Sequence, residues 1–441
     1  MNNYTSRRER LSAQIRNATG GVAIKKNTSN LFRQRERTPG VKLDVHDFNH
    51  VLEVDATSGW VDAEGMSTYE NLVLATLACG VMPAVVPQLK TITIGGAVAG
   101  VGIEASSFRH GLVHENILEL EVLAGDGNIY LCTPSNEHAD LFLGFANSYG
   151  TLGYALRVRS RTLPVKKFVK VEHRRFTDAT TFFEALARAQ SGAADFLDGV
   201  VFAPDELYVV SGTFVDEAPY VSDYTFEQIY YQSIRLRQSD FLTTHDFLWR
   251  WDTDWFWCSK NFGMQIPLIR RHAGKARLNS RTYTRWMHWN NRLRLTRGLN
   301  WMLRRRRESV IQDVDIPMHR AAEFLEFLSK EIGLLPVWIC PIRAGARHFP
   351  HYPLNALASY VNFGFWDAVK TSATALPGHF NRLIERKVAD LGGIKSLCSD
   401  SYFPREEFDA IYSGEAYREL KARYDPLNRL PDLYDKAVLR K

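Results

Sequence analysis

The run Thr91-Ile-Thr-Ile-Gly-Gly-Ala-Val-Ala-Gly-Val-Gly-Ile-Glu-Ala-Ser-Ser-Phe-Arg-His-Gly111 decides the fold. Glycines at 95, 96, 100, 102 and 111 remove Cβ atoms where a backbone must bend or press against a flat ligand. Successive N–H groups in such bends make anion-binding concavities that suit a pyrophosphate. Ser106 and Ser107 add hydroxyls. Within the run, Gly100-Val-Gly102-Ile-Glu-Ala105 imitates a dinucleotide fingerprint. That motif follows a strand, opens a helix and meets an acid about twenty residues on. This run instead leads to the strand-like Ile117–Ala124 and the turn Gly125-Asp-Gly127, so the Rossmann reading is set aside. The plainer alternative is a structural glycine loop with no ligand.

Thr93–Ala105 resembles the FAD-binding loop of vanillyl-alcohol-oxidase-type (PCMH) flavoproteins, and within them the Δ24-sterol reductase (diminuto-like) family and its bacterial lipid-modifying relatives. Leu123-Ala-Gly-Asp-Gly127, Cys132–Ser135 and Gly150-Thr-Leu-Gly153 follow in that family's order and spacing. So do Gln312-Asp313, Val337–Pro341 and Ser399–Phe408. The resemblance runs from about residue 20 to the end. It implies an α+β fold of two domains: a PCMH-type FAD-binding domain over 1–165 and a substrate (cap) domain over 166–394. A return to the FAD domain follows over 395–441.

A chain of 441 residues exceeds one simple core, which agrees with two domains. Its 45% apolar and 24% charged content is that of a globular protein. The cysteines at 79, 132, 258, 340 and 398 are dispersed, without a CxxC pair. That excludes a zinc framework and implies a reducing, cytoplasmic setting. The N-terminus shows no secretory signal. Asn71–Leu89 is uncharged, but Gly80, Pro83 and Pro87 break it as a membrane span. Eukaryotic Δ24-sterol reductases carry an N-terminal anchor, and none is read here.

Charge is concentrated. Residues 270–307 hold 13 Lys and Arg and no Asp or Glu; against the chain's +6 the remainder is −7 (+6 less 13). Trp286, Met287, Trp289, Leu295, Leu299, Trp301, Met302 and Leu303 are interleaved with these cations. Cations with Trp and Leu at near-helical spacing describe an amphipathic helix lying on an anionic membrane. We therefore expect peripheral attachment to the inner face of the membrane. A solvated face and a nucleic-acid patch are the alternatives; no nucleic-acid module accompanies the segment, so no nucleic-acid partner is expected.

Along the chain, Val51–Asp55 and Gly59–Ala63 read as paired strands. Ser67-x-x-Glu70 reads as a capping box opening a helix over Thr68–Cys79. Ile129–Cys132 and Tyr154–Ser160 read as strands, with Ser135 capping a helix through Asn147. In the cap domain, helices over Thr180–Ala189 and Met318–Ile332 alternate with strands over Gly199–Phe202 and Leu207–Ser211. Phe241–Ile269, with Trp249, Trp251, Trp255, Phe256 and Trp257, is either a core cluster or the wall of a channel for an apolar substrate.

The resemblance implies FAD, held without a covalent bond, because the usual covalent-flavin histidine has no counterpart. Expected FAD contacts are Thr28, Ser29 and Asn30 in the early loop, Pro87, Thr93, Ile94, Gly95, Gly96, Gly100, Gly102, Ser106, Ser107 and Gly111 in the glycine run, and Gly150, Thr151 and Gly153. Hydrogen transfer to or from a C–C bond also needs a proton donor or acceptor. Tyr402 and Asp400 are the candidates, with Glu407 behind them. Arg109, or His110, is the cation for the flavin ring, Glu104 a flanking group, and Gln312-Asp313 is placed facing the cavity. No metal is expected. The implied function is an FAD-dependent oxidoreductase acting on a CH–CH or C=C bond of a membrane lipid. A methylated or methylene-branched phospholipid acyl chain is preferred over a sterol or isoprenoid side chain. An alcohol or sugar-lipid oxidase and a flavin-free lipid-binding protein are the rivals. The electron partner is open among NADPH, a quinone and a redox protein, as is the oligomeric state.

Overall fold

The computed structural model describes residues 2–26, 32, 40–293, 307–372 and 374–441. A helix over Asn2–Arg16 leads into a parallel pair, β1 (Val22–Lys25) with β2 (Val41–Asp44). There follow β3 (Val51–Asp55), β4 (Trp60–Glu64), β5 (Val81–Pro83), β6 (Ile117–Leu123), β7 (Ile129–Cys132) and β8 (Tyr154–Pro164). They form an antiparallel sheet in the order β3-β4-β8-β6-β7, with β5 beside β8. Val61, Leu120, Val122 and Val158 are buried on it.

The second sheet holds β9 (Phe168–Phe176), β10 (Phe196–Ala203), β11 (Glu206–Val215), β12 (Ser239–Thr243), β13 (Arg307–Pro317), β14 (Val337–Arg343), β15 (Ser359–Lys370) and β16 (Ile394–Lys395). The order is β12-β9-β11-β10-β14-β15-β13-β16, with every pairing antiparallel. Helices over Ala179–Ala189, Ala321–Phe327 and His379–Asp390 cover one face. Phe182, Leu186, Phe324 and Ile384 fill that layer together with Val314, Ile316, Val361 and Phe363 of the sheet. The opposite face of β13, β14 and β15 looks toward the first domain and becomes the floor of the site. The sheets change over between Pro164 and Phe168. After β16 the chain returns to the first domain: Lys421 Nζ donates to the Thr151 carbonyl at 2.9 Å and Val22 N–H to the Arg429 carbonyl at 2.7 Å.

Several local expectations are corrected. The glycine run is not all loop: Ile94–Ala99 is a short helix capped by Thr93, whose Oγ1 accepts from Gly96 N–H at 3.3 Å. The helix over Tyr69–Leu77 is capped by Thr68, because Ser67 Oγ donates instead to the His50 carbonyl at 2.8 Å. The helix after Ser135 is only Ala139–Gly144 and starts from His138. Met318–Ile332 divides into a 3-10 turn, the α-helix Ala321–Phe327 and a π turn over Leu328–Ile332.

The basic segment is only partly a free surface. Ser280–Leu293 is helical. Arg270 is buried against Asp254, with bonds of 2.7 and 3.0 Å. Arg271 pairs with Glu227 at 2.9 Å and Arg281 with Glu70 at 3.0 Å. Acids distant in sequence thus neutralise cations that have no acid nearby. Arg277 and Arg285 form no ion pair among the described residues. Arg294, Arg297 and Arg304–Arg306 lie outside the described residues, as do Leu295, Leu299, Trp301, Met302 and Leu303. No helix among the described residues is long and apolar enough to cross a membrane.

Candidate functional site

A cavity of about 610 Å³ opens between the two domains, a size typical of small-molecule and cofactor sites. One wall is the glycine run. Pro87, Thr93, Gly95, Gly96, Gly100 and Gly102 line it, as do Gly150 and Gly153. Gly95 packs so closely that a Cβ there would lie 2.8 Å from the Gly65 carbonyl oxygen. Lys25, Lys26 and Lys42 from the β1–β2 region and Lys436 and Lys441 from the tail add positive charge to the lining.

The other expected cofactor residues are placed differently. Ile94 is buried in the core beneath its helix. Ser106 Oγ donates to the Ala84 carbonyl at 2.8 Å, and Ser107 Oγ accepts from Glu104 N–H at 3.2 Å, so both hydroxyls turn inward. Thr151 Oγ1 donates to the Ser148 carbonyl at 2.8 Å. Gly111 sits in a left-handed turn (φ 71°) against Glu115, away from the cavity lining. Thr28, Ser29 and Asn30 lie outside the described residues.

The candidate proton and charge groups also lie elsewhere. Tyr402 OH accepts from Arg440 at 3.0 Å, and Asp400 pairs with Arg440 at 3.4 Å. Arg109 donates to the Gly192 carbonyl at 2.9 Å on the surface. None of the three lines the cavity, and neither do His110, Glu407 or Glu104. Glu104 is held instead by Arg250 at 2.8 Å, beside Asp198 at 2.9 Å from the same guanidinium.

The floor divides the Gln312-Asp313 pair expected to face the cavity and adds Asp315 to it. Side chains alternate across a strand, so β13 sends Gln312 to the helical layer and Asp313 to the cavity. Gln312 donates to Asn381 at 2.6 Å there, while Asp313 and Asp315 both line the cavity. The register sets Asp313 opposite Gly364 and Asp315 opposite Asn362 on β15, with Trp338 of β14 on the far side of Gly364. Asp315 accepts from Tyr352 OH at 2.7 Å and Asn362 Nδ2 at 2.8 Å. Asp313 accepts a weak bond from Cys398 Sγ at 3.5 Å. Burial pushes the Asp313 carboxyl up to about 7, helped by the neighbouring Asp315 charge. Burial raises Asp315 to about 6 against its two donors.

The remaining wall is aromatic. Trp255, Phe256, Trp338 and Trp366 line it, and Phe256 packs between Trp251 (centroids 4.9 Å) and Trp366 (4.4 Å). The Phe241–Ile269 cluster is therefore both core and cavity wall. Trp255 and Phe256 both have positive φ, 44° and 59°, as do the cavity-lining Val101 and Tyr149. Such backbone costs on the order of 1–2 kcal/mol per residue and persists where packing over-determines it.

A glycine wall permitting close backbone approach, lysines for a diphosphate and an apolar floor carrying carboxyls fit a flavin dinucleotide. Gln88, which also lines the cavity, leaves its buried Nε2 without a protein partner, a donor available to such a ligand. The class defined is a flavoprotein. Residues 12–133 match the FAD binding domain family. Human Δ24-sterol reductase is 26% identical over 411 residues, covering 88% of this chain and 75% of that protein. The Arabidopsis thaliana Δ24-sterol reductase is 24% identical over 460 residues, 91% and 77% of the two chains. Cytokinin dehydrogenase 9 of Oryza sativa is 28% identical over 185 residues, 41% of this chain and 35% of that one. The chain carries an FAD-binding domain of the PCMH type over residues 12–133 and is similar to the Δ24-sterol reductases over most of its length, which supports an FAD-dependent oxidoreductase.

Proposed function

We propose that this flavoprotein interconverts C=C and CH–CH bonds in a membrane lipid, preferentially a methylated or methylene-branched acyl chain of a phospholipid. One observation supports this most. The Trp255–Phe256 cavity wall continues along the chain into a surface that is both apolar and cationic. Ile266, Leu268 and Ile269 are exposed there, with Leu268 at 79%, and Arg277, Arg285 and Trp289 are exposed farther along the same segment. Phe262 stacks on Tyr283 at 5.5 Å and joins this surface to the segment behind the cavity. An enzyme that draws a phospholipid tail from a bilayer needs such a head-group contact; a soluble substrate does not. The similarity to Δ24-sterol reductases favours a second reading, reduction of a sterol or isoprenoid side chain. On the reductase reading a nicotinamide nucleotide such as NADPH is the proposed donor.

Two expected results follow. Anaerobically reduced protein mixed with vesicles carrying methylene-branched phospholipid should yield product heavier by two hydrogens. Turnover of a Δ24-unsaturated sterol alone would transfer the assignment to the second reading, and oxidised protein acting on methyl-branched chains would reverse the direction. Flotation should show binding to anionic but not neutral vesicles. Each basic residue near anionic lipid contributes about 1 kcal/mol. Arg277→Ser with Arg285→Ser should therefore weaken binding roughly 30-fold. Binding that ignores lipid charge and salt would remove the membrane role.

A further inference from the structure

We propose that Asp313 carries the proton of the C=C/CH–CH interconversion and that Asp315 is the positioning group that keeps Asp313 poised to hold it. This rests on the reaction class proposed above and names the residue that serves it.

Both carboxyls are presented by one strand face to a cavity whose other lining groups are mainly glycine backbone, apolar side chains and lysines of the first domain and tail. They differ in how they are held. Asp315 has a donor on each oxygen, from Tyr352 and Asn362. That arrangement suits a fixed carboxylate. Asp313 has one soft partner, Cys398, on Oδ2. Its Oδ1 lies 3.2 Å from where a Gly364 Cβ would stand, in space that the absence of a side chain at Gly364 leaves to the rims of Trp366 and Trp338. The groups around Asp313 do not neutralise it. Its own strand contributes Asp315, β15 contributes Gly364 and Trp366, and β14 contributes Trp338. The tail contributes Cys398 and Ser396, and Lys395 of β16 turns to the other face, where its Nζ bonds Glu385 at 2.7 Å. Burial and the adjacent negative charge both favour the protonated acid, raising it to about 7, near where a group exchanging protons at neutral pH works best.

FAD, when bound against the glycine wall, would supply or accept the hydride. In reduction, the Asp313 O–H bond breaks as a C–H bond forms on the other carbon; the carboxylate left behind regains a proton from solvent between turnovers. In desaturation, that C–H bond breaks, its proton goes to the Asp313 carboxylate, and the electron pair forms the C=C bond as hydride leaves the neighbouring carbon.

The test uses the FAD-loaded protein with Asp313→Asn and Asp315→Asn. Infrared pH titration without substrate should show a protonated-carboxyl band that disappears through neutral pH. In Asp313→Asn the band should lose the Asp313 component and keep that of buried Glu104, which also titrates near 7; in Asp315→Asn the Asp313 component should titrate at lower pH, because the like charge is gone. With vesicles carrying methylene-branched phospholipid, or a Δ24-unsaturated sterol, Asp313→Asn should keep full flavin and normal reduction by dithionite. Its lipid turnover should fall about 10²–10⁴-fold. Wild type in deuterated water should place one solvent deuterium in the product. A neutral-pH band unchanged in Asp313→Asn, or turnover within a few-fold of wild type, overturns the assignment. If wild type turns over neither lipid, the proposed substrates fail, and the infrared titration still decides whether Asp313 holds the proton.

Discussion

Gly96→Val is expected to purify colourless. Gly96 lies on the cavity wall, and a Cβ there would stand 2.8 Å from Thr93 Oγ1, the atom that caps the Ile94–Ala99 helix. The valine methyls must either displace the cap or fill the space that backbone alone leaves for FAD. Both outcomes strike the same surface, so affinity should fall by at least about 100-fold, the approximately 3 kcal/mol of a severe overpacking clash. Gly102→Val is a harsher probe with a less specific readout. Its Cβ would meet Val113 Cγ2 at 2.8 Å, Pro87 Cγ at 3.0 Å and Ala97 Cβ at 3.2 Å, so it disturbs the core as well as the cofactor. The measurement is the ratio of flavin to protein absorbance after gel filtration, with unfolding temperature as control. Folded Gly96→Val with full flavin would show that this wall does not hold the cofactor. Acid precipitation of wild type should leave the yellow colour in the supernatant; colour kept in the pellet would show a covalent bond to the flavin.

The glycine wall was legible because close backbone approach demands glycine at fixed places, and that demand survives in one sequence. The floor was not. In Gln312-Asp-Val-Asp-Ile316 the alternation of polar and apolar residues looks like an ordinary strand with a solvated face. That polar face is covered by another domain, and only the pairing of β13 with β15, whose residues lie some fifty positions on, shows the carboxyls beneath Trp338 and Trp366. Ser106 and Ser107 misled for a related reason. Hydroxyls beside a glycine loop look like ligand donors, but these meet the Ala84 carbonyl and Glu104 N–H, partners fixed by tertiary packing. Tyr402 and Asp400 belong to a motif of the tail, yet Arg440 binds both away from the cavity. The cations at 270, 271 and 281 looked free because Asp254, Glu227 and Glu70 lie well outside their segment. Local pattern carried the elements; charge pairing and the covered sheet face are long-range facts.

Arg250→Met should cost about 3–5 kcal/mol of stability at pH 8 and markedly less at pH 5.5. Arg250 is 1% exposed and bonds Glu104 of the glycine run at 2.8 Å and Asp198 of β10 at 2.9 Å. It also donates to the Phe247 carbonyl at 3.0 Å and lies 4.1 Å over that ring. Trp338, a wall of the cavity, donates to the same Asp198 at 3.2 Å. One guanidinium thus ties the FAD loop, the second sheet and the aromatic segment together. Methionine keeps much of the stem and its packing but strands two buried carboxylates, and an unpaired buried charge costs more than the pair ever contributed. The pH dependence follows from Glu104. Burial raises its carboxyl from 4.5 to about 7 even with Arg250 pulling it down. A folded-state value above the unfolded one means that the folded protein holds the proton more tightly. Its stabilising effect is complete below the unfolded value and is lost as pH rises through about 7. Without Arg250 the carboxyl rises further: at pH 5.5 it is already protonated and little is lost, whereas at pH 8 the variant must either keep a proton that the unfolded chain gives up or bury a bare charge, and either costs more than the Arg250-paired carboxylate. Unfolding midpoints at the two pH values measure this directly. Adding Glu104→Gln to Arg250→Met should recover part of the loss at pH 8 and little at pH 5.5. A deficit equal at both would mean that Arg250 acts through its packing on Phe247 rather than through the two acids.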